Sequence, residues 1–451
     1  MPAINSINLI NSINYIYLQH AIRNEHLLSR IMNQFKQISG FLGLQKSTVG
    51  MLLMVILVGM GERMAERFLP IYLIALGGGP IVIGLLNGLD NLLSALYAFP
   101  GGYLSDRLGF KKALLVFNLF AMFGYLLVIF IPAWPAVLVG AVFFLSWSAI
   151  SLPATMSLVA RVLPTDKRTM GVSMHSLVRR IPMALGPITG GLFIGIWGEK
   201  DGVRLAFAVA LLLAVVAAVM QQKLIEEDPA KKTGDKSSNK PEKNPLRLFR
   251  EMSPALKRLL VADILVRFCE QIPYAFVIVW CMKIIQSPVT AFQFGLLTGV
   301  EMATAMLIYI PVAYFADRSA KKPFVVTTFV FFTLFPLCLL FTTSFELLVL
   351  AFILRGLKEF GEPTRKALIM DLAPEDKKAA MFGLYYLMRD VVVSIAAFSG
   401  AFLWLISPQV NFIVAFAFGV IGTISFALTG SEPAESREQM TEARGQKSEN
   451  R

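Results

Sequence analysis

Two short runs of charge lie inside otherwise apolar stretches of this chain. Arg63-Met-Ala-Glu66, flanked by Glu62 and Arg67, and Arg267-Phe-Cys-Glu270 each set an acid three residues after an arginine. In a helix that spacing puts both side chains on one face. A third run, Arg355, Lys358, Glu359, Glu362 and Arg365, is spaced at threes and fours and predicts one continuous charged stripe. Asp90 and Glu301 occupy matching places in the two halves of the chain, and Arg179, Arg180, Arg389 and Asp390 add further charge. A charge at mid-bilayer costs at least about 2.5 kcal/mol, so a set this large predicts a wet cavity. Arginine forks there can hold a carboxylate or phosphate bidentately. Burial favours the neutral form of a carboxyl and a nearby cation favours the charged form. Glu66 and Glu270 are therefore the first candidate proton carriers, with Glu359 and Glu362 next. Acids and bases nearly balance, so ion pairs that hold helices in register are the competing reading of any single residue.

The elements that must position these groups are transmembrane helices. The chain has 451 residues, of which 56% are apolar, and a spanning helix needs about 20 mostly apolar residues. Twelve such stretches are readable, at 49–76, 81–104, 111–131, 135–161, 170–196 and 203–222, then at 257–283, 292–316, 323–342, 346–372, 379–405 and 410–430. The second six repeat the first. Gly84-Leu-Leu-Asn-Gly-Leu-Asp90 returns as Gly295-Leu-Leu-Thr-Gly-Val-Glu301, and Pro100-Gly-Gly-Tyr-Leu-Ser-Asp106-Arg107 as Pro311-Val-Ala-Tyr-Phe-Ala-Asp317-Arg318. A membrane chain written as two copies of one unit predicts an all-helical, pseudo-symmetric carrier with two six-helix bundles. The copies differ where the chemistry lies. Span 4 has Leu145, Ser148, Ala149, Leu152 and Thr155 where span 10 has its five charges, and Trp147 offers an aromatic face instead.

Alternate loops are basic (Arg107, Lys111, Lys112; Arg161, Lys167, Arg168; Lys321, Lys322; Lys377, Lys378), whereas 76–81, 131–135 and 406–411 carry no charge. This bias puts both termini in the cytoplasm and the protein in the cytoplasmic (inner) membrane. The net charge of +12 follows from that sidedness and implies no nucleic-acid partner. Residues 1–48 read as a polar cytoplasmic extension, with Met32 an alternative start; 223–256 read as a charged linker of disordered character, and 431–451 as a disordered tail. That leaves bundles at 49–222 and 257–430. Cys269, Cys281 and Cys338 read as packed thiols, and no metal-ligand spacing is present.

The run Gly101-Gly102-Tyr-Leu-Ser-Asp106-Arg107-Leu-Gly109-Phe110-Lys111-Lys112 resembles the signature between helices 2 and 3 of the major facilitator superfamily, with Phe110 at the place of an arginine. Ala316-Asp317-Arg318-Ser-Ala-Lys321-Lys322 is its echo, without the second glycine. The resemblance extends over about 49–430. It implies rocker-switch alternating access, with helices 1, 4, 7 and 10 around the cavity and the Asp-Arg loops as latches on one face. Pro182-Met-Ala-Leu-Gly186-Pro187-Ile-Thr-Gly190-Gly191 resembles the helix-5 pattern of antiporter members, with Pro182 replacing its first glycine. The helix-4 arginine of proton-coupled members is missing, because 136–160 contains no Arg.

The expectation is therefore a secondary transporter and not an enzyme. It uses no cofactor, draws on a proton gradient, and exports a polar or charged small organic solute such as a metabolite, siderophore or drug. Its partners are that solute and the lipid bilayer, with no obligate protein partner. Uptake of an organic anion by proton symport is the alternative within the class. A sensor built on a transporter fold is the alternative outside it. No Gly-x-x-x-x-Gly-Lys-Ser/Thr segment is present to bind ATP.

Overall fold

The computed structural model describes residues 46–145, 147, 151, 155, 168–225, 245–316, 320–374 and 377–431. Every element among them is helical. In chain order they are α1 (Lys46–Glu66), α2 (Leu69–Ala75), α3 (Pro80–Leu108), α4 (Phe110–Phe130), α5 (Trp134–Phe144), α6 (Arg168–Leu224), α7 (Pro245–Glu251) and α8 (Pro254–Gln271). Then come α9 (Ala291–Ala316), α10 (Lys321–Leu340), α11 (Phe345–Leu357), α12 (Glu362–Asp371), α13 (Lys378–Ile406) and α14 (Pro408–Thr429). Nine segments among the described residues are long and apolar enough to cross a bilayer. One of these, Val178–Leu224, is two helices broken at Gly198, whose φ of 80° and ψ of 174° no ordinary side chain tolerates. Of span 4, α5 and residues 145, 147, 151 and 155 are described.

Three expected continuous spans are broken, each beside its charges. Span 1 stops at Glu66 and restarts as α2, with Pro70 in the new first turn. Span 7 stops at Gln271, where Pro273 cannot donate to the ladder, and continues as a 3₁₀ turn (Tyr274–Phe276) and a π turn (Trp280–Ile284). Span 10 is split between α11 and α12. There the Gly361 amide takes the Thr328 hydroxyl as acceptor at 2.5 Å, and Pro363 starts α12. Proline pre-set for a first turn thus begins the new helix at Pro70 and Pro363, whereas Pro273 caps the 3₁₀ turn.

The expected disordered linker is also partly folded. α7 lies at 245–251, and Leu248 and Met252 are buried in a cluster with Leu368, Met381 and Tyr385. Lys377 donates to Glu251 at 2.6 Å, and Ser253 donates to the Leu372 carbonyl while capping α8.

Lipid is as apolar as leucine, so helices in it associate by close approach rather than by burying grease. Within the first half, α1 packs on both arms of α6, with Gly61 against Ala210 and Gly186 against Arg63. Between the halves, α3 lies on α13 and the first arm of α6 on α9. Gly84 faces Ala401 and Phe398, Gly88 faces Phe398, Gly191 faces Ala291, and Gly295 faces Pro187. These contacts gather at the end of the molecule that carries the uncharged loops. Lys283 and Glu199 pair across the halves there at 2.5 Å, and Phe68 meets Phe294 edge to face at 6.0 Å.

Candidate functional site

The last turn of α1 brings Arg63 to Glu66 at 2.8 Å, as the three-residue spacing requires. Glu62, one residue back, is buried and lines a cavity of ≈ 370 Å³ with Arg63, Trp147, Ser151, Thr155 and Arg179. Trp147 is anchored there by its indole N–H, which donates to Asn118 at 2.8 Å. Arg67 sits in the break after α1. Its guanidinium lies 5.1 Å from the centre of the Tyr274 ring, which the break in span 7 presents from the opposite half. Arg355 approaches the same ring at 5.6 Å.

A second cavity lies between the halves around that tyrosine. Glu66, Arg67, Asp90, Asn87, Tyr274 and Arg355 form its polar wall. Asn87 donates to the Gln271 carbonyl at 2.9 Å, and Asn91 to the Gln271 side chain at 3.2 Å, so α3 and the end of α8 are tied across the halves. Among the described residues, Arg67 has no carboxylate within 4 Å, and Asp90 has no cation within that distance.

The second half holds a continuous ionic network. Arg355 and Lys358 reach Glu301 at 3.3 and 3.2 Å, and Lys358 reaches Glu270 at 2.9 Å. Glu270 also accepts from Arg267 at 2.6 Å, and Arg267 reaches Glu362 at 3.5 Å. Glu362 pairs with Arg365 at 2.6 Å, and Arg365 pairs with Asp263. Asp263 further meets Arg389 at 3.5 Å and accepts from Tyr385 at 2.9 Å, while Arg389 pairs with Asp390 at 2.7 Å. Its acids (Asp263, Glu270, Glu301, Glu362, Asp390) equal its interior bases (Arg267, Arg355, Lys358, Arg365, Arg389), and the exposed Lys366 adds one more base at Glu362, 3.4 Å away. The third cavity, ≈ 280 Å³, opens beside Glu270, Arg355 and Lys358.

Of the residues singled out by type and spacing, Glu66, Arg67, Asp90 and Arg355 thus converge on the cavity between the halves, while Arg267, Glu270, Glu301, Lys358, Glu362 and Arg389 pair within the second half. The helix-10 stripe is a correction. The break at 358–361 turns Glu359 away from its neighbours, toward Arg180 of the first half at 3.3 Å, while Arg355, Lys358, Glu362 and Arg365 stay with the network. Sequence reasoning missed Asp263, although it stands four residues before Arg267 on the same helix face. Tyr274 and the Asn87–Asn91–Gln271 bridge gave no local signal.

The loop signature is partly described. Asp317 and Arg318 lie outside the described residues, as does the side chain of Asp106, and of Gly102 only the helical backbone is described. Gly109 has φ 79° and ψ 155°, which turns α3 into α4 within one residue. Lys111 donates to the Gln222 carbonyl at 2.9 Å, Arg107 and Lys112 are exposed, and Lys321 pairs with Asp371. Of the helix-5 pattern, Gly186 and Gly190 seat α6 on Arg63 and Met64, and Gly191 and Pro187 meet α9. All three cysteines are free, and no group of metal ligands occurs among the described residues.

A helical membrane protein in two similar halves, with ionisable cavities between and within them, is the architecture of a solute carrier. The family comparison agrees: the model of the Major Facilitator Superfamily matches residues 51–286 and 259–449. The chain belongs to that superfamily, and it is a transporter rather than an enzyme. It is similar to an uncharacterised transporter of the same type from Methanocaldococcus jannaschii, with 22% identity over 80% of this chain and 89% of that one. Among solved structures it resembles the nucleoside transporter NupG, with 14% identity, a TM-score of 0.71, and coverage of 85% of this chain and 100% of the other. It also resembles a peptide transporter, POT, solved with sulfate, with 15% identity, a TM-score of 0.70, and coverage of 85% and 94%. A bacterial homologue of the lysosomal transporter Spinster in an inward-facing, occupied conformation shares 14% identity at a TM-score of 0.65, covering 85% and 96%.

Proposed function

We propose that this transporter couples proton movement to the passage of a charged small organic solute by alternating access in the cytoplasmic membrane, with its termini in the cytoplasm. The observation that carries the reading is one cavity between the halves that presents a cation without a carboxylate, Arg67, beside a carboxyl without a cation, Asp90. Glu270, a leading candidate on spacing alone, is held by Lys358 and Arg267 together and belongs to the scaffold of ion pairs. Asp90 is the better carrier. It shares its cavity with Glu66 and Arg67 from the first half and with Tyr274 and Arg355 from the second, so its charge bears on both.

The sign of the coupling follows from the solute's charge. An anion on Arg67 and a proton on Asp90 neutralise one another's unfavourable field, so each raises the other's affinity by the same factor. That cooperation makes symport, and hence uptake down the proton gradient. Proton-driven export remains the second reading, favoured by the helix-5 pattern, and it requires a cation that competes with the proton. The uncharged-loop end, where the glycines pack the halves together, then faces outside, and the cavity is served from the cytoplasm. The test is the full chain in proteoliposomes under an imposed pH gradient. With a labelled anionic solute, uptake should follow the gradient, and Asp90→Asn should keep solute exchange while losing the gradient dependence. Undiminished dependence in Asp90→Asn removes the residue from the coupling.

A further inference from the structure

The cavity that holds Arg67 and Asp90 has two unlike sides. The polar one has just been described. The other is made by Leu69, Leu86, Leu145, Val277 and Phe294, all buried apart from this cavity, and it lies toward the end where the halves are packed shut. Pro70 and Ile278 complete it. Water in this space would find hydrogen-bond partners on one side only. The breaks in spans 1 and 7 build this division. Arg67 and Tyr274 stand at the broken turns, and the apolar Leu69 and Val277 follow directly as each chain resumes its helix. Arg67 is steadied over the tyrosine ring, and no protein carboxylate takes up its donors among the described residues.

We infer that the solute is an amphipathic organic carboxylate, with its head on the Arg67 fork and an apolar body, aromatic or branched, against Leu86, Val277 and Phe294. This rests on the proposed transport of a charged solute and narrows its chemistry. A guanidinium fork matches a carboxylate in two parallel hydrogen bonds. A small dicarboxylate or hydroxy acid satisfies that end but leaves the apolar side empty or wet. A neutral apolar molecule fills the apolar side and leaves Arg67 unanswered.

The experiment measures binding to the purified full chain by protection against thermal unfolding. The probes are a straight-chain series from acetate to hexanoate, then phenylacetate, phenylacetamide, benzylamine and succinate. Affinity should rise about fourfold per methylene along the series. Phenylacetate should bind at least tenfold more tightly than its amide. Arg67→Gln should remove most of that preference and Arg67→Lys restore part of it. Phe294→Ala should weaken phenylacetate about tenfold and leave acetate unchanged. If succinate binds through Arg67 and the chain-length series is flat, the amphipathic inference is overturned while transport of a charged solute stands. If benzylamine binds and no carboxylate does, the anion reading falls with it. A preference for carboxylates that Arg67→Gln leaves intact in a well-folded protein also overturns the assignment.

Discussion

Asp263 is fully buried, and its carboxylate lies among three guanidiniums. Asp263→Asn keeps the volume of the side chain, so no cavity forms, and it changes only the charge. Arg365, whose side chain is 1% exposed, then retains Glu362 alone, and Arg389 retains Asp390. Removing one partner of a buried ion pair while the other stays charged costs about 3–5 kcal/mol. That corresponds to a fall of roughly two to nearly four powers of ten in the ratio of folded to unfolded protein. The comparison variant is Asp90→Asn, which breaks no ion pair among the described residues and should change stability by about 1 kcal/mol or less. Both proteins would be unfolded in mixed micelles of rising SDS fraction and followed by tryptophan fluorescence. Asp263→Asn should unfold at a clearly lower SDS fraction than Asp90→Asn. In the double variant with Arg389→Gln, part of the loss should return, because the excess positive charge that Asp263→Asn leaves in the network is removed with it. Equal midpoints for the two single variants refute the argument that the network is a buried scaffold.

Gly84 faces Ala401 so closely that an added Cβ would fall 2.5 Å from the alanine Cβ. Gly84→Leu should therefore disfavour the packed end by about 1–3 kcal/mol. The readout is labelling of a cysteine placed at Lys283 by an impermeant thiol reagent, which should speed up; an unchanged rate contradicts the packing argument. At the opposite end, the hydrogen bond from Lys377 holds the Glu251 carboxyl below the ordinary glutamate range. A carboxyl lowered on folding contributes above its unfolded value and stops contributing as pH falls through its folded one. Docking of α7 should accordingly persist at neutral pH and loosen only under strong acid, whereas Lys377→Gln should loosen it at neutral pH. Protease cleavage within 245–251 reports both, and cleavage of Lys377→Gln no faster than that of the parent contradicts the assignment.

How much of this was readable beforehand depends on range. Arg63 with Glu66 and Arg267 with Glu270 meet because three residues along a helix is a neighbour relation, which needs no tertiary knowledge. The two halves were readable because the repeat at 84–107 and 295–318 is written in the residues themselves. The breaks were less so. Pro70, Pro273 and Pro363 stood in view, but a membrane helix can carry a proline and continue, as α6 does through Pro182 and Pro187. Only the groups that re-satisfy the freed backbone decide between a kink and a break. Asp263 was missed because it looked like one acid in an apolar run, and its worth comes from Arg365 and Arg389, more than a hundred residues away. Tyr274 follows the same rule. The surroundings of Glu270 follow the same rule: its i,i+3 partner Arg267 is local and was readable, whereas its further cation, Lys358, comes from the split tenth span.

The central claim is that the halves part and rejoin around the Arg67–Asp90 cavity. Glu199 and Lys283 face each other across the halves at the packed end, so cysteines at these two positions, joined by a short bifunctional thiol reagent, should hold that end shut. Proteoliposomes containing the linked protein should lose solute uptake under a pH gradient, and a reductant that cleaves the linker should restore it, with each single-cysteine variant unaffected. Full transport through the linked protein would contradict alternating access between these halves.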